Sequence, residues 1–473
     1  MEFITNLNSA LNSFIWGPIM LVLLVGTGIY LTIRNKCIQA GKFGHMWKNT
    51  IGTLFKKDKS TTKSDGKNVS AFAAVSTALA STVGVGNVAG VAGAIAAGGP
   101  GAVFWMWISA FFGMCTKYAE IVLAVKYRQT GKDGTYYGGP MYYMKNGFKN
   151  KGLGNALGWI FALLAGFACF GIGDATQSAE ISKAISNLFG FGGSETAALV
   201  IAIILAVFVG VVIIGGLKSI STVTSYLVPF MAIFYIVGAL AVIILNISSL
   251  PTALGIIFKE AFSFEAIGGG IFGYAIFLAM QKGVARGVFS NEAGLGSAPI
   301  AHAASSTKDP VKQGLWGIFE VFVDTIVICT LTGLTVVMSG IYETSSATGG
   351  ELTAECFDSM LPGIGGIVVR VGLMLFALST ILGWEYYGET CWGYISKENK
   401  AVKFIFRVVY VVVCFVGAFT AASSSEGLKL AWDIADTLNG FMALPNLIAL
   451  LVLSPVVIAA TKKYFLTGSS LDK

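Results

Sequence analysis

This chain of 473 residues contains eleven predominantly apolar stretches of roughly 20 residues. That length is enough for a helix to cross the hydrocarbon core of a bilayer. Backbone N–H and C=O groups inside that core need partners within the protein, because no water is there to satisfy them. The pattern therefore predicts an all-α polytopic membrane protein with eleven transmembrane helices. The stretches lie at residues 16–33, 71–97, 101–125, 156–186, 196–216, 224–246, 266–290, 315–340, 364–387, 402–421 and 439–461.

The composition agrees with a membrane protein and argues against a water-soluble enzyme. Asp, Glu, Lys and Arg make up 12% of the residues, whereas about 25% is usual in soluble domains. Glycine contributes 59 residues, and small residues allow the close helix contacts found in membranes. The seven cysteines have no metal-ligand spacing, and the two histidines lie outside the centres of the predicted spans. An intramembrane enzyme would need a nucleophile–base pair or a metal cluster, so we predict no enzymatic activity, and we predict no organic cofactor.

The basic residues are distributed unevenly between alternate loops. Nine lie in segment 34–67 and six in segment 126–151, whereas the loops on the opposite side hold only Lys259 and Lys429. Under the positive-inside rule, this distribution predicts a multi-pass cell-membrane protein with its N-terminus outside and its C-terminus in the cytoplasm. The net charge of +7 is then explained by topology, and it does not indicate a nucleic-acid partner.

The second stretch is interrupted in its middle by polar residues and two glycines. Residues 81–87 read Ser-Thr-Val-Gly-Val-Gly-Asn, and a glycine costs about 1 kcal/mol in a helix interior relative to alanine. We expect the segment to unwind, and freed backbone groups at membrane depth are tolerated only where protein or a wet cavity satisfies them. Half-helices of this kind hold a solute and its coupling ion near the midplane of membrane transporters.

The predicted break offers two kinds of ligand. The N–H groups of residues 85–87 begin the downstream half-helix, whose N-terminal end carries about half a positive charge and suits a carboxylate. The carbonyls of Ala80, Thr82 and Val83 lose their helical partners, and such oxygens suit a small hard cation. The Asn87 amide and the Thr82 hydroxyl can complete that shell. A glycine-rich helix crossing without any ligand is the alternative.

The ten stretches after the first divide into two sets of five, and an odd number per set inverts the second set relative to the first. The seventh stretch begins with three glycines at 268–270 and is predicted to break at 280–283. A broken helix at the start of each set points to a binding site between inverted repeats. We therefore predict a peripheral helix with a cytoplasmic linker at 1–68, a first repeat at 69–246 and a second repeat at 247–473.

The predicted break in the seventh stretch has two interpretations. Carbonyls freed at Met280, Gln281, Lys282 and Gly283 can accept hydrogen bonds from the ammonium group of a solute. Alternatively, Lys282 and Arg286 mark the inner edge of the membrane. Composition leaves both open.

The fourth stretch contains polar residues on one predicted helical face. Asp174 and Gln177 are three residues apart, and Phe170 precedes Gln177 by seven, so an α-helix would present all three together. Gln177 can bind the amine or carboxylate of a solute, and Phe170 can wall a small pocket. Packing between helices is the alternative for these residues.

Two other polar pairs lie inside apolar stretches. The hydroxyls of Ser379 and Thr380 can complete an ion shell or bond back to their own helix. Glu320 and Asp324 are four apart, and intramembrane acids are functional candidates. A structural bond from Glu320 to a neighbouring span is equally compatible with the sequence.

Three segments outside the apolar stretches also carry predictions. The polar linker 56–67 is predicted to lie inside the cell. Segment 247–265 is predicted to form an interfacial helix on the outer side. Segment 341–363 is acidic and either covers the mouth of the pathway or is a plain solvated loop.

Seven runs along the chain match one known family in order. They are TVGVGNVAG from Thr82, GGPGAVFWMW from Gly98, TKYAE from Thr116, GGPMY from Gly138, RGVFSNEAGLGSAP from Arg286, LGWEYYGE from Leu382 and ADTLNG from Ala435. Together they resemble the alanine or glycine:cation symporter family. The resemblance implies a LeuT-type core of two inverted five-helix repeats, with the first helix at its edge. It also implies uptake of alanine or glycine driven by sodium or, less often, by protons.

The resemblance also implies roles for individual residues. It implies one sodium site formed by Ala80, Val83, Ser379 and Thr380. Thr82 and Asn87 would belong to a second sodium site, if one exists. The Val85 and Gly86 amides would hold the substrate carboxylate. The full set that we assign to the substrate is Thr82, Val85, Gly86, Asn87, Phe170, Gln177, Met280, Gln281, Lys282, Gly283 and Trp384.

The sequence thus leads to the hypothesis of a secondary active transporter in the lipid bilayer. It would import a small neutral amino acid with sodium by alternating access. No nucleotide-binding motif is found, so an ion gradient is the energy source that fits. A proton-coupled symporter and an ion channel are the alternatives. The sequence makes no prediction of oligomeric state.

Overall fold

The computed structural model describes residues 2–55, 67–131, 134–262, 272–421 and 426–471. These residues are helical almost throughout. The helices of the first half are α1 (Glu2–Ile15), α2 (Pro18–Arg34), α3 (Ile38–Gly41), α4 (Phe43–Asn49), α5 (Ile51–Phe55), α6 (Ala71–Thr82), α7 (Ala89–Gly98), α8 (Gly101–Lys126), α9 (Pro140–Gly147), α10 (Lys151–Ala168), α11 (Thr176–Phe189), α12 (Glu195–Ile214) and α13 (Gly216–Leu245). Two short strands, β1 (Gln129–Thr130) and β2 (Tyr136–Tyr137), pair antiparallel.

The second half continues the same pattern. Its helices are α14 (Leu250–Ala261), α15 (Phe272–Asn291), α16 (Pro299–Ala303), α17 (Pro310–Val321), α18 (Thr330–Ser339), α19 (Gly349–Met360), α20 (Gly365–Ile395), α21 (Lys400–Thr420) and α22 (Glu426–Thr467). Three 3₁₀ turns lie at Val85–Asn87, Ile247–Ser249 and Ile341–Glu343, and two π-helical segments at Cys169–Ala175 and Phe322–Cys329. Each π-helical segment joins two α-helices into one long span.

Nine helical spans within the described ranges are long and apolar enough to cross a membrane. They coincide with nine of the eleven predicted stretches. The second stretch is divided into α6 and α7, of 12 and 10 residues, and the seventh corresponds to α15. The all-α membrane fold is confirmed, whereas the exact count of eleven stays a prediction.

The first break lies where the sequence predicts it. Helix α6 is capped by the Ser70 hydroxyl, which accepts a hydrogen bond from the Ala73 N–H. It ends at Thr82, because the N–H of Gly84 donates to the Asn87 side-chain oxygen at 2.8 Å instead of to the Ala80 carbonyl. We call the segment between α6 and α7 the first break.

The second break directly follows helix α15, which corresponds to the seventh stretch, and does not lie at the predicted residues. Helix α15 continues through 280–283, so the prediction of an interruption there is wrong. The chain leaves the helix at Glu292 and re-enters one at Pro299. We call residues 292–298 the second break. All residues from 290 to 305 are buried, so this irregular backbone is enclosed by protein.

The different roles of three glycines explain why the break lies at residues 292–298 and not at 280–283. At Gly283 a β-carbon would collide with the Ala102 carbonyl and lie 2.8 Å from the Trp105 β-carbon, so this glycine allows close packing of α15 on α8. By contrast, Gly294 and Gly296 have φ values of +92° and +87°. The helix ends at Asn291, and Glu292 already has a φ of +56°. Glycine adopts positive φ more readily than other residues, so Gly294 and Gly296 keep the following backbone irregular.

The outer segments are more ordered than a solvated loop. Segment 247–265 contains α14 within its described part, which confirms the helix, while its interfacial position stays a prediction. Segment 341–363 contains α19, with Leu352 and Phe357 buried, so the interpretation as a plain loop is wrong. The Thr353 hydroxyl donates to the Val88 carbonyl at 3.1 Å, so α19 contacts the first break directly. The linker at 56–66 and the glycines at 268–270 lie outside the described residues.

Candidate functional site

Three oxygen atoms from two helices meet beside the first break. The hydroxyls of Ser379 and Thr380 on α20 each lie 3.1 Å from the Ala80 carbonyl on α6. Each also lies within 3.0 Å of the Phe376 carbonyl one turn back. A hydroxyl has one proton and two acceptor lone pairs, so each can release one carbonyl and still bind the other. We call Ala80, Ser379 and Thr380 the oxygen cluster.

Close packing of α20 on α6 brings the oxygen cluster together. A β-carbon at Gly383 would collide with the Ser81 side chain, and one at Gly84 would lie 2.5 Å from the Thr380 hydroxyl. Val83 follows the last residue of α6, with φ −78° and ψ 91°, so its carbonyl leaves the helical direction. The four residues that the resemblance assigns to one sodium site are therefore neighbours in the structure.

The residues predicted for a second sodium site are engaged by the protein itself. The Asn87 side-chain oxygen accepts from Gly84, and its amide nitrogen donates to Asp324 at 2.6 Å. The Thr82 hydroxyl lies 3.0 Å from the Ala78 carbonyl and 3.4 Å from Glu320 Oε1. Asn87 therefore closes the turn of the first break, which differs from the ion-facing role that the sequence suggested.

Gln177 reaches the first break. Its side-chain oxygen accepts from the Val85 N–H at 3.4 Å, and its amide nitrogen donates to the Ile172 carbonyl at 2.9 Å. The bond to Ile172 anchors the side chain to the π-helical segment Cys169–Ala175. Gln177 and the Val85 N–H, both assigned to the substrate, therefore lie together.

Phe170 does not share a face with Gln177. Its ring lies 5.3 Å from that of Phe406 and 6.0 Å from that of Tyr410, both on α21. A π-helix has more residues per turn than an α-helix. The spacing of seven therefore no longer aligns the two side chains, and the prediction of a shared face is wrong. Asp174 is fully buried within the same segment.

Trp384 lies close to that π-helical segment. Its side chain is 1% exposed, and a β-carbon at Gly173 would collide with it. Within the described part of the chain, the indole N–H has no hydrogen-bond partner. Its assignment to the substrate stays a prediction.

Residues 280–283 lie away from the first break. The Gln281 amide donates to the Trp16 carbonyl at 3.1 Å, and the Lys282 β-carbon would lie 3.0 Å from a β-carbon at Gly98. Gly98 ends α7 and is twelve residues beyond Gly86. Met280, Gln281, Lys282 and Gly283 are therefore not at the break. In the predicted topology Gly98 is at the outer end, which argues against the interpretation of Lys282 as an inner-edge residue.

Residues near the end of α15, and not residues 280–283, lie beside the first break. A β-carbon at Gly86 would lie 3.2 Å from the Phe289 ring and 3.4 Å from the Ser290 α-carbon. The Ser290 hydroxyl donates to Asp324 at 2.9 Å. The end of α15, two turns after the predicted residues, therefore faces the first break.

Buried charges connect the two breaks, and sequence reasoning assigned most of them no role. Lys117 and Glu320 are fully buried and paired, with 3.0 Å between Nζ and Oε1. His302 lies 3.0 Å from the other Glu320 oxygen. Glu120 accepts from the Gly294 N–H at 3.1 Å and thereby satisfies a backbone group of the second break.

A signal for these residues was present in the sequence. Lys117 and Glu120 lie within the run TKYAE, in the middle of an apolar stretch, where a charge is expensive unless paired. The second break repeats the Gly-x-Gly spacing of the first, at Gly294 and Gly296 instead of Gly84 and Gly86. Neither signal identifies the pairing partner, because that depends on the tertiary fold.

The chain is similar to a family of transporters over nearly its whole length. A model of the sodium:alanine symporter family matches residues 1–470. The sodium/alanine symporter AgcS of Methanococcus maripaludis is 47% identical over 467 residues, which cover 98% of both chains. The probable sodium/glutamine symporter GlnT of Bacillus subtilis is 37% identical, covering 96% of this chain and 89% of its own. The putative sodium/proton-dependent alanine carrier YrbD of the same organism is 36% identical, covering 96% and 91%.

Solved structures share the fold. MhsT in complex with L-phenylalanine superposes with a TM-score of 0.60 at 13% identity, over 84% of this chain and 98% of its own. The outward-open state of a Na⁺-coupled sialic acid symporter gives a TM-score of 0.51 at 15% identity, over 93% of both chains. At such identities the similarity concerns the fold alone, and it confirms the LeuT-type architecture.

Proposed function

Because the chain belongs to the sodium:alanine symporter family, we propose that it imports a small neutral amino acid, alanine or glycine, in symport with sodium by alternating access. As a member of that family it is a multi-pass membrane transporter and not an enzyme. The proposal concerns the identity of the substrate, the residues that bind it and the ion, and the transport cycle.

The oxygen cluster is the observation that carries the proposal. It offers one backbone carbonyl and two hydroxyl oxygens at the unwound end of a helix, and hard cations prefer such ligands. Sodium would bind there when the Ser379 and Thr380 hydroxyls turn their protons to the Phe376 carbonyl and their lone pairs to the ion. The Val83 carbonyl would complete the shell. Binding would then hold α6 against α20.

The substrate would bind beside the ion. The Val85 N–H now meets Gln177 through a long 3.4 Å bond, which a substrate carboxylate can replace with a shorter, charge-assisted bond. Phe289 and Ser290 lie close to Gly86, so they border the proposed carboxylate site. We expect this close packing to favour alanine or glycine over glutamine, the substrate named for one relative.

Uptake by the purified protein in liposomes tests the proposal. We expect an inward sodium gradient to concentrate radiolabelled alanine or glycine, and glutamine to be taken up much less. A proton gradient without sodium should drive little uptake. Concentration by protons alone would favour the proton-coupled alternative, and a sodium current that needs no amino acid would favour a channel.

A matched pair of glycine variants locates the substrate. Gly86→Leu should abolish uptake, because its side chain would meet Phe289 and fill the carboxylate space. Gly90→Leu is the control, since no atom lies within 4 Å of its β-carbon position. Near-normal transport by the folded Gly86→Leu protein would contradict the proposed carboxylate site.

A further inference from the structure

Lys117 places a positive charge at the centre of the helix bundle. Its side chain is fully buried on α8, and its ammonium group lies 3.0 Å from Glu320 Oε1 on α17. The same ammonium donates to the backbone carbonyl of Asn291 at 2.7 Å. Asn291 is the last residue of α15, so Lys117 contacts the edge of the second break.

Glu320 extends this contact to the first break. Its Oε1 atom, paired with Lys117, also lies 3.4 Å from the hydroxyl of Thr82, the last residue of α6. Its Oε2 atom lies 3.0 Å from His302 Nε2, and the Gln313 amide nitrogen lies 2.9 Å from His302 Nδ1. An amide nitrogen only donates, so Nδ1 accepts and Nε2 carries the proton that it donates to Glu320.

The carboxylate of Asp324, beside the first break, accepts hydrogen bonds from uncharged donors. Asp324 accepts from the Asn87 amide at 2.6 Å, from the Ser290 hydroxyl at 2.9 Å and from the Thr325 hydroxyl at 2.7 Å. Asn87 in turn has its oxygen occupied by Gly84. The groups that a second cation would need at this side of the break are therefore engaged by the chain's own donors.

We propose that the Lys117 ammonium group acts as a resident cation that supplies, between the two breaks, the positive charge of a second sodium ion. The protein then carries one sodium ion per amino acid, and that ion binds at the oxygen cluster. This inference rests on the proposed sodium symport and concerns only its ion count. A resident charge stays with the protein through the transport cycle. It therefore adds no driving force from the sodium gradient to amino-acid uptake.

The voltage at which transport stops measures the ion count in the unmodified protein. The full chain is reconstituted in liposomes with equal sodium on both sides and a tenfold gradient of alanine, and the membrane potential is set by potassium and valinomycin. Net alanine flux should stop at about 59 mV if one charge moves with each alanine and at about 30 mV if two charges move. A value near 59 mV supports the inference, and a value near 30 mV overturns it while leaving symport intact. An alanine flux that ignores sodium would overturn the proposed function itself.

Variants of the lysine test its role directly. Lys117→Met keeps most of the side-chain length but removes the charge, and we expect a second sodium ion to be required beside Glu320, the carboxylate that the variant leaves unpaired. The Hill coefficient for sodium should rise from near 1 toward 2, and the zero-flux potential should fall toward about 30 mV. Lys151→Met is the control, because this exposed ammonium also donates to a backbone carbonyl, that of Asn146 at 2.8 Å. A folded Lys117→Met protein that still stops near 59 mV would overturn the inference, and the unmodified protein decides the matter if the variant does not fold.

Discussion

At the scale of single residues, Thr380 connects the two parts of the proposed site. Its hydroxyl contacts the Ala80 carbonyl, and it lies so close to Gly84 that a β-carbon there would be 2.5 Å away. The same side chain therefore lies against both the proposed ion ligands and the start of the substrate-binding turn. Replacing its hydroxyl by a methyl group changes the chemistry at nearly constant volume.

We expect Thr380→Val to weaken sodium binding. Losing one oxygen ligand costs about 1 kcal/mol, comparable to a lost hydrogen bond, so the sodium concentration for half-maximal uptake should rise about fivefold. Thr390→Val on the same helix is the control, because its hydroxyl donates back to the Tyr386 carbonyl at 2.8 Å. Sodium titrations of alanine uptake measure both variants, and an unchanged value for Thr380→Val would remove this residue from the ion shell.

Replacing Gln177 should weaken the binding of alanine more than the binding of sodium. Gln177→Ala removes the side chain that contacts the Val85 N–H. The alanine concentration for half-maximal uptake should rise about fivefold, corresponding to about 1 kcal/mol, with a smaller change for sodium. Gln39→Ala is a matched loss of a buried amide, since Gln39 bonds to Thr32 and the Phe111 carbonyl instead. A larger effect on sodium than on alanine would contradict the assignment.

At the scale of secondary-structure elements, the two breaks show what sequence reasoning can and cannot locate. The first was found because two glycines and an asparagine interrupt an apolar stretch. The second was assigned to residues 280–283, where the sequence suggested an interruption, but Gly283 allows close helix packing there. The deciding feature is backbone conformation, which Gly294 and Gly296 reveal through their positive φ values.

The π-helical segments illustrate a different limit. The sequence shows that residues 169–175 and 322–329 are apolar and helical, but it does not show how many residues form each turn. That number depends on how the flanking helices pack, and it decides which side chains face the same neighbour. Phe170 was misplaced for this reason, whereas Gln177, just beyond the segment in α11, contacts the Val85 N–H of the first break.

The packing role of Gly283 leads to a stability prediction. Gly283→Ala should lower the free energy of unfolding by about 1–3 kcal/mol, because the added methyl group collides with the Ala102 carbonyl and approaches Trp105. Gly255→Ala on α14 is the control, since no atom lies within 4 Å of its β-carbon position. Thermal unfolding in detergent compares the two, and an equal melting temperature for both would contradict the close α8–α15 contact.

At the scale of the whole molecule, the structure joins four elements through one buried ion pair. Lys117 belongs to α8 and Glu320 to α17, and their partners Asn291 and Thr82 end α15 and α6. Removing one partner of a buried pair leaves the other charge buried and unpaired, which typically costs about 3–5 kcal/mol, so we expect single substitutions at Lys117 or Glu320 to destabilise the fold. The fold class was predictable because apolar length and family resemblance determine it, whereas this central pairing required the three-dimensional arrangement.

The orientation of the molecule in the membrane is the last prediction. The excess of basic residues in alternate loops predicts that Lys151, at the start of α10, faces the cytoplasm and that Glu195, at the start of α12, faces outward. Both side chains are exposed, while six of the seven native cysteines are buried, so a membrane-impermeant maleimide should label introduced cysteines over a low background. Glu195→Cys should be labelled in intact cells and Lys151→Cys only after permeabilisation, with the unmodified protein as the control for residual labelling at Cys37. The opposite labelling pattern would contradict the predicted topology and would place Lys151 outside the cell and Glu195 in the cytoplasm.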